Sequence, residues 1–410
     1  MRFVIASMDT RGGIAPYLAL GLGLRRAGHE VRVLAPSDFE SMVTDLGLSF
    51  APLSGDVEQA VRGLGAATEG GRLASMRAAG REMGGWIETW TRQALAACED
   101  ADIVLGGVGG MVVAGSVAEK LRLPFVVAHL QPVGAPTDRY PGPLFGGTPR
   151  ILGGPGRRLS HAMAEMGIWM PFRSGVLRAR KNVLELDGPL RRDGDGPVLY
   201  GFSRHVVPVP LDRRRERLVT GYWFLPSSDG WLPPVGLEAF LAGDRPVVSI
   251  GFGSMASEDP ARLADLVTGA VRDAGARAVL LSGWGGLAGA QADDLFVADA
   301  VPHDWLFPRV GAVVHHGGAG TTGAGLRAGV PNVVVPFTMD QPFWGSRVHA
   351  LGAGPVPIPR KRLTRATLAR ALEAALGDPA MRVSAARVGE AIRTEDGVST
   401  AVARLEQLRR

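Results

Sequence analysis

Residues 301–354 read VPHDWLFPRVGAVVHHGGAGTTGAGLRAGVPNVVVPFTMDQPFWGSRVHALGAG, and this stretch decides the fold. Residues 311–315 (GAVVH) close a short apolar run, the pattern of a buried parallel strand. The glycine-rich turn 316–320 (HGGAG) follows at once. Thr321 and Thr322 then open a helix predicted to run to about Arg327, with Gly329 and Pro331 stopping it. A second apolar run, 332–336 (NVVVP), leads to the polar pair Asp340–Gln341. Strand, glycine-rich turn, helix and strand make one unit of an α/β fold. Glycines let backbone approach a ligand closely, and the free N–H groups of a first helical turn favour an anion. Two histidines and two threonines add side-chain donors there, so a diphosphate is the natural guest.

The amino-terminal end repeats the unit. Residues 2–7 (RFVIAS) read as a buried strand, 8–16 (MDTRGGIAP) as a Gly/Pro-rich loop, 17–27 as an Ala/Leu-rich helix ended by Gly28, and 29–35 as a second strand. Ligands in such sheets sit beyond the carboxyl ends of the strands, so the 8–16 loop should face a cleft. Further strands are expected at 102–107, 124–129, 197–201, 245–250, 278–281 and 295–300, and helices at 86–98, 111–121 and 262–274. Residues 157–180 are basic and amphipathic, interrupted at Pro171. Such a segment packs its Met/Ile/Trp face on the core with arginines in water, or else forms an acceptor wall or a surface touching membrane lipid. Residues 226–236 (PSSDGWLPPVG) have the composition of a linker. The segment 364–410 reads as helical, with breaks expected at Gly389 and Gly397.

A chain of 410 residues exceeds one ordinary core, so two domains are the default. Its net charge of +5 suits an anionic small ligand such as a sugar nucleotide. That charge is too diffuse for nucleic acid, and no nucleic-acid motif is present. The single cysteine, Cys98, excludes an intrachain disulfide, reads as a buried apolar residue and suits a reducing cytoplasm. A signal-peptide layout and any apolar run long enough to cross a bilayer are both missing. The sequence holds no metal-ligand spacing.

HHGGAGTT (315–322) and DQPFWG (340–345), at this separation, resemble the donor-binding signature of family 1 glycosyltransferases, most of all the bacterial natural-product branch and the sterol glucosyltransferases. The LQP and PT pairs between Leu130 and Thr137 resemble the sterol branch as well. The resemblance implies the GT-B fold, two doubly wound α/β domains facing across a cleft. Residues 1–215 would bind the acceptor, 216–236 would link, 237–390 would bind the donor, and a final helix in 391–410 would cross back to the first domain. It implies transfer of a sugar, with inversion, from a UDP- or dTDP-sugar to a small lipophilic acceptor of polyketide, aromatic, macrolide, peptide or sterol-like kind, with no metal required, by a cytoplasmic monomer or homodimer.

Carried over residue by residue, His315 would contact the diphosphate. Gly318, Gly320 and Thr321 would supply donors of the same turn, and Asp340 and Gln341 would hold the sugar hydroxyls. Gly253 and Ser254, in a GFGS turn, would touch the phosphates. Val301, His303 and Trp305 stand where relatives meet the nucleobase, against which an indole or imidazole face can stack. His316 is either a second phosphate contact or a turn residue. On the acceptor side, the TRGGIAP loop with Gly12, Gly13 and Pro16 departs from the branch pattern, because Gly13 occupies the position of the catalytic aspartate. Asp9, His129 and Asp138 are the candidate replacements. His has a suitable ordinary pKa for the task, and reach decides among the three. The departure otherwise leaves an acceptor that is acidic or reacts through carbon or nitrogen, or a non-catalytic pseudo-glycosyltransferase partner; a peripheral membrane lipid glycosyltransferase is a separate alternative.

Overall fold

The computed structural model describes residues 1–55, 73–145, 153–190, 196–210, 216–227, 230–253, 260–281 and 293–409. Short apolar runs become strands buried on both faces. β1 (Arg2–Ala6), β2 (Glu30–Pro36), β3 (Ser49–Leu53), β4 (Ile103–Gly106), β5 (Phe125–His129), β6 (Val198–Tyr200) and β7 (Arg217–Val219) form one parallel sheet in the order β3-β2-β1-β4-β5-β6-β7. A second parallel sheet contains β8 (Val247–Gly251), β9 (Arg277–Leu281), β10 (Leu295–Ala298), β11 (Ala312–His315) and β12 (Asn332–Val334), in the order β10-β9-β8-β11-β12. In both sheets strand order reverses beside the first strand, and such a reversal opens a crevice at the carboxyl ends. The crevices lie between β1 and β4 in one sheet and between β8 and β11 in the other.

The principal helices cover these sheets: α1 (Arg11–Arg26), α2 (Leu73–Cys98), α3 (Val108–Leu121), α4 (Gly153–Asn182), α5 (Pro260–Asp273), α6 (Ala319–Ala328), α7 (Gln341–Ala350), α8 (Arg365–Gly377), α9 (Pro379–Arg393) and α10 (Gly397–Glu406). Three differ from the sequence reading. α1 starts at Arg11, so Gly12, Gly13 and Pro16 are helical and the loop is only 7–10. α4 runs through Pro171 without a break. The carbonyl that loses its donor there is that of Gly167, an exposed residue, where water can serve it. Gly389 breaks nothing. It lies within α9, where a Cβ would come 2.7 Å from Gly329 Cα and 2.8 Å from the Leu326 carbonyl, so it is the contact through which α9 packs on α6. The break falls instead at Asp378, whose carboxylate caps the start of α9. The amphipathic face of α4 divides: Trp169 and Phe172 are buried, whereas Leu159, Met163, Met166 and Met170 are exposed. Cys98 is fully buried.

β7 falls within 216–236, the segment expected to link the domains, and it belongs to the first sheet. The two sheets share one buried aromatic seam. Tyr140 meets Phe343 edge-on at 5.6 Å, and Phe202 meets Trp344 at 6.0 Å. Arg347 of α7 donates two hydrogen bonds, of 3.0 and 2.8 Å, to the Val206 carbonyl. Hydrogen bonds from a charged donor contribute about 1.5–3 kcal/mol each, so this pair is a strong fastening between the halves. At the other end, α10 returns to the first sheet, with Ala401, Val402 and Leu405 in the same core as Tyr17 and Leu18 of α1. There the chain crosses itself: Trp223 Nε1 donates to the Gly397 carbonyl at 3.2 Å, and a Cβ on Gly397 would lie 2.5 Å from the Gly221 carbonyl oxygen.

Candidate functional site

The two crevices meet. The signature turn leaves β11 and enters α6, whose cap residue Gly318 offers no side-chain hydrogen bond. The N–H groups of the first turn are therefore open to an anion. Opposite stands the start of α1. A Cβ on Gly320 would lie 3.4 Å from the Gly12 carbonyl oxygen. Pro16 explains why that carbonyl is turned outward, since a proline has no N–H to give the carbonyl four residues earlier.

His315 and His316 divide the roles expected of them. His315 is 1% exposed, and both its ring nitrogens are engaged. Nε2 pairs with Asn332 Oδ1 at 3.0 Å, and Nδ1 accepts from the Gly317 N–H at 3.0 Å. The ring braces the turn through these two bonds. Burial pushes its pKa down to about 3, with the nearby His316 adding to the effect, so it is neutral and carries its hydrogen on Nε2. His316 lies between the two glycine turns. A Cβ on Gly253 would be 3.1 Å from its Cε1, and one on Gly318 would be 2.6 Å from its Nε2. Its Nδ1 is buried with no hydrogen-bond partner. Burial and the neighbouring His303 hold it neutral, near pKa 4. Ser254, the other half of the GFGS expectation, lies outside the described residues. Thr321 is half-buried in the first turn of α6.

The three residues expected near the nucleobase lie together beside the turn. Trp305 is engaged already: the Arg309 guanidinium lies 4.4 Å over its ring and Trp231 meets it at 5.3 Å. His303 stacks on Phe307 at 4.3 Å and 14°, and burial lowers its pKa to about 4. Val301 is a buried member of the same apolar cluster. Val301 is buried, whereas His303 and Trp305 are half-buried.

Asp340 follows Met339, which is exposed and held at φ 57°, a left-handed conformation that a non-glycine residue seldom adopts. Asp340 Oδ2 accepts from Trp344 Nε1 at 2.8 Å, and Gln131 of the first-domain LQP loop hydrogen-bonds the same carboxylate. Burial raises its pKa and these bonds oppose the rise. The side-chain Oε1 of Gln341 is spent on the turn, accepting from the N–H groups of Phe337 at 2.8 Å and Thr338 at 3.1 Å. The carboxylate thus joins the two halves through Gln131, and the Gln341 amide oxygen secures its loop.

The three candidate bases separate clearly. His129 is 5% exposed, at the end of β5 with its ring 6.0 Å from Tyr200. Asp138 is exposed at the amino end of α4, where Arg157 bonds its carbonyl and Gly154 abuts its Cβ. Asp9 follows β1 at the crevice. Ser7 Oγ donates to its Oδ2 at 2.8 Å. Burial raises its pKa, the Ser7 bond opposes this, and the charge of Asp340 from the other domain raises it further. Ser7 and Asn332 were not singled out by sequence reading, and the bond from Gln131 to Asp340 joins residues far apart in the chain.

Comparison with known proteins agrees with this geometry. The family described as Erythromycin biosynthesis protein CIII-like, C-terminal domain, matches residues 285–408. The glycosyltransferase VinC in complex with DTDP superposes with a TM-score of 0.69 at 21% identity, over 100% of this chain and 99% of that one. The Streptomyces sp. SF2575 glycosyltransferase SsfS6, complexed with thymidine diphosphate, gives 0.65 at 23%, over 99% of each. The fold is therefore GT-B. A Sterol 3-beta-glucosyltransferase of Aspergillus clavatus is 36% identical over 98% of this chain, and one of Arabidopsis thaliana is 35% identical over 98%. The chain spans 29% of the fungal protein's length and 64% of the plant one's. It belongs to the family 1 GT-B glycosyltransferases, through its EryCIII-like C-terminal domain and these sterol glucosyltransferase relatives.

Proposed function

We propose that the protein moves a sugar from a UDP- or dTDP-sugar to a hydroxyl of a small lipophilic acceptor, with inversion at the anomeric carbon. The observation that carries this is the uncapped amino end of α6, with the His316 ring held between two glycine turns and the first domain's crevice directly opposite. The donor diphosphate rests on the α6 N–H groups and on His316, and those preorganised donors stabilise the charge that develops on it as the sugar leaves. No metal is needed in this reading. Asp340 holds hydroxyls of the sugar. The acceptor enters from the first-domain side, and the sterol relatives, alike over 98% of the chain, favour a rigid polycyclic alcohol over a peptide. A cytoplasmic setting, where nucleotide sugars are made, fits a chain whose described helices include none long and apolar enough to cross a membrane.

Calorimetric titration with UDP, dTDP and GDP, without added metal, tests the donor half. Binding of one of them, lost in His316→Ala, is expected. If none of the three binds, the reading fails.

A further inference from the structure

We propose that Asp9 is the general base of the transfer and that Gly13 is glycine because the Asp9 carboxyl occupies the space above it. The inference rests on the transfer reading above. A Cβ built on Gly13 would lie 2.5 Å from Asp9 Cβ, 2.9 Å from its Cγ and 3.2 Å from Oδ1. Contacts below 3.0 Å force one group to shift, so a side chain at residue 13 competes with Asp9 for the same space. The two positions share one place, and in this chain the carboxylate reaches it from residue 9.

That place is the right one for proton removal. Asp9 leaves β1 at the strand-order reversal of the first sheet. Its loop runs straight into the start of α1, and the Gly12 carbonyl there faces Gly320 of the donor turn. Asp9 also feels the charge of Asp340 across the cleft. Ser7, 1% exposed, fixes Oδ2 by its hydrogen bond, while Oδ1 lies above Gly13. Ser7 is thus a positioning residue. His129 is buried at the end of β5, and Asp138 is exposed at the amino end of α4.

The step balances simply. The acceptor oxygen forms a bond to the anomeric carbon on the face opposite the diphosphate. The bond from that carbon to the diphosphate oxygen breaks, and its electron pair stays on the diphosphate. The acceptor's hydroxyl proton passes to the Asp9 carboxylate.

The test measures turnover with UDP-glucose and dTDP-glucose on two acceptors, cholesterol and para-nitrophenol. Cholesterol has a hydroxyl that stays protonated without help, whereas the phenol is largely ionised at mildly alkaline pH. In Asp9→Asn, sterol turnover is expected to fall about 10²- to 10⁴-fold, the usual contribution of a general base, while the phenol loses less than about tenfold and UDP or dTDP affinity is kept. Gly13→Asp alone forces two side chains into one space and should lose activity. The exchange variant Asp9→Gly/Gly13→Asp should regain at least about tenfold over Asp9→Asn on the sterol. Equal losses on both acceptors, or sterol turnover untouched in Asp9→Asn, overturns the assignment. A wild-type protein inactive on both acceptors with both donors defeats the transferase reading itself, and the need for a base with it.

Discussion

Asn332→Ala tests whether the donor turn is held from behind. Asn332 is fully buried, with Oδ1 paired to His315 Nε2 at 3.0 Å and Nδ2 donating to the Val330 carbonyl at 2.7 Å. The substitution leaves two buried polar groups without partners, each costing about 1–3 kcal/mol. One of them can recover a partner if a water enters the vacated space, which is polar and the size of an amide. The expected loss is therefore about 1–3 kcal/mol, borne by the second domain. Urea unfolding followed by tryptophan fluorescence would measure it, with the two domains fitted separately because a two-domain chain need not unfold in one step. The functional consequence follows through Gly317, whose N–H donates to His315 Nδ1. Once His315 can tilt, the turn loses its fixed shape, and UDP or dTDP affinity should fall by about tenfold, the equivalent of 1.4 kcal/mol. A stability change below about 0.5 kcal/mol, the range of an ordinary surface substitution, together with unchanged nucleotide affinity, would refute the brace.

Three further outcomes are expected. Burial holds His303 and His316 near pKa 4 and His315 near 3, against an ordinary 6.5. Below pH 6.5 the unfolded chain takes up protons that the folded one refuses, so stability present above that pH is lost as the pH falls toward 4, at up to about 1.4 kcal/mol per unit per histidine. A melting temperature that stays flat over that window would contradict the neutral cluster. Gly318→Ala fits the backbone, at φ −61°, but its Cβ would meet His316 Nε2 at 2.6 Å. Nucleotide affinity measured by calorimetry should drop about tenfold, and an unaffected value would remove His316 from the diphosphate site. Asp340→Asn keeps an oxygen for Trp344 and removes the charge. Sugar transfer should fall about ten- to a hundredfold, the worth of a hydrogen bond to a charged group, with nucleotide binding nearly intact; full turnover in this variant would end its assignment to the sugar.

Much of the fold was open to reading because parallel strands buried on both faces are spelled as short apolar runs. GAVVH and NVVVP fell within two residues of β11 and β12. Gly329 was legible as a stop because the backbone there is left-handed, at φ 76°. The start of α1 was hidden because two glycines and a proline look like loop. Here the helix tolerates Pro16, and the carbonyl it strands is used at the cleft. β7 was hidden for the opposite reason: a three-residue edge strand carries too little pattern to rise above its surroundings. Within the site, sequence marked the turn and its histidines. It could not tell which histidine faces inward, since that depends on Asn332, 17 residues away, closing on His315. Nor could it show Asp9 over Gly13, a matter of where a loop folds back on the first turn of a helix.

The crossing of Trp223 and Gly397 has a consequence for engineering. In chain order the second sheet and its helices are an insert: the first-sheet body is left near Gly221 and re-entered at Gly397, and these two points touch. A donor half borrowed from a related glycosyltransferase therefore cannot be attached as a simple carboxyl-terminal fusion. It has to be spliced at both junctions, with the native α10 retained to cover α1. Because exit and return lie side by side, such a graft needs to match one short seam, and the fastening from Arg347 to the Val206 carbonyl then becomes the test of whether the new half has seated.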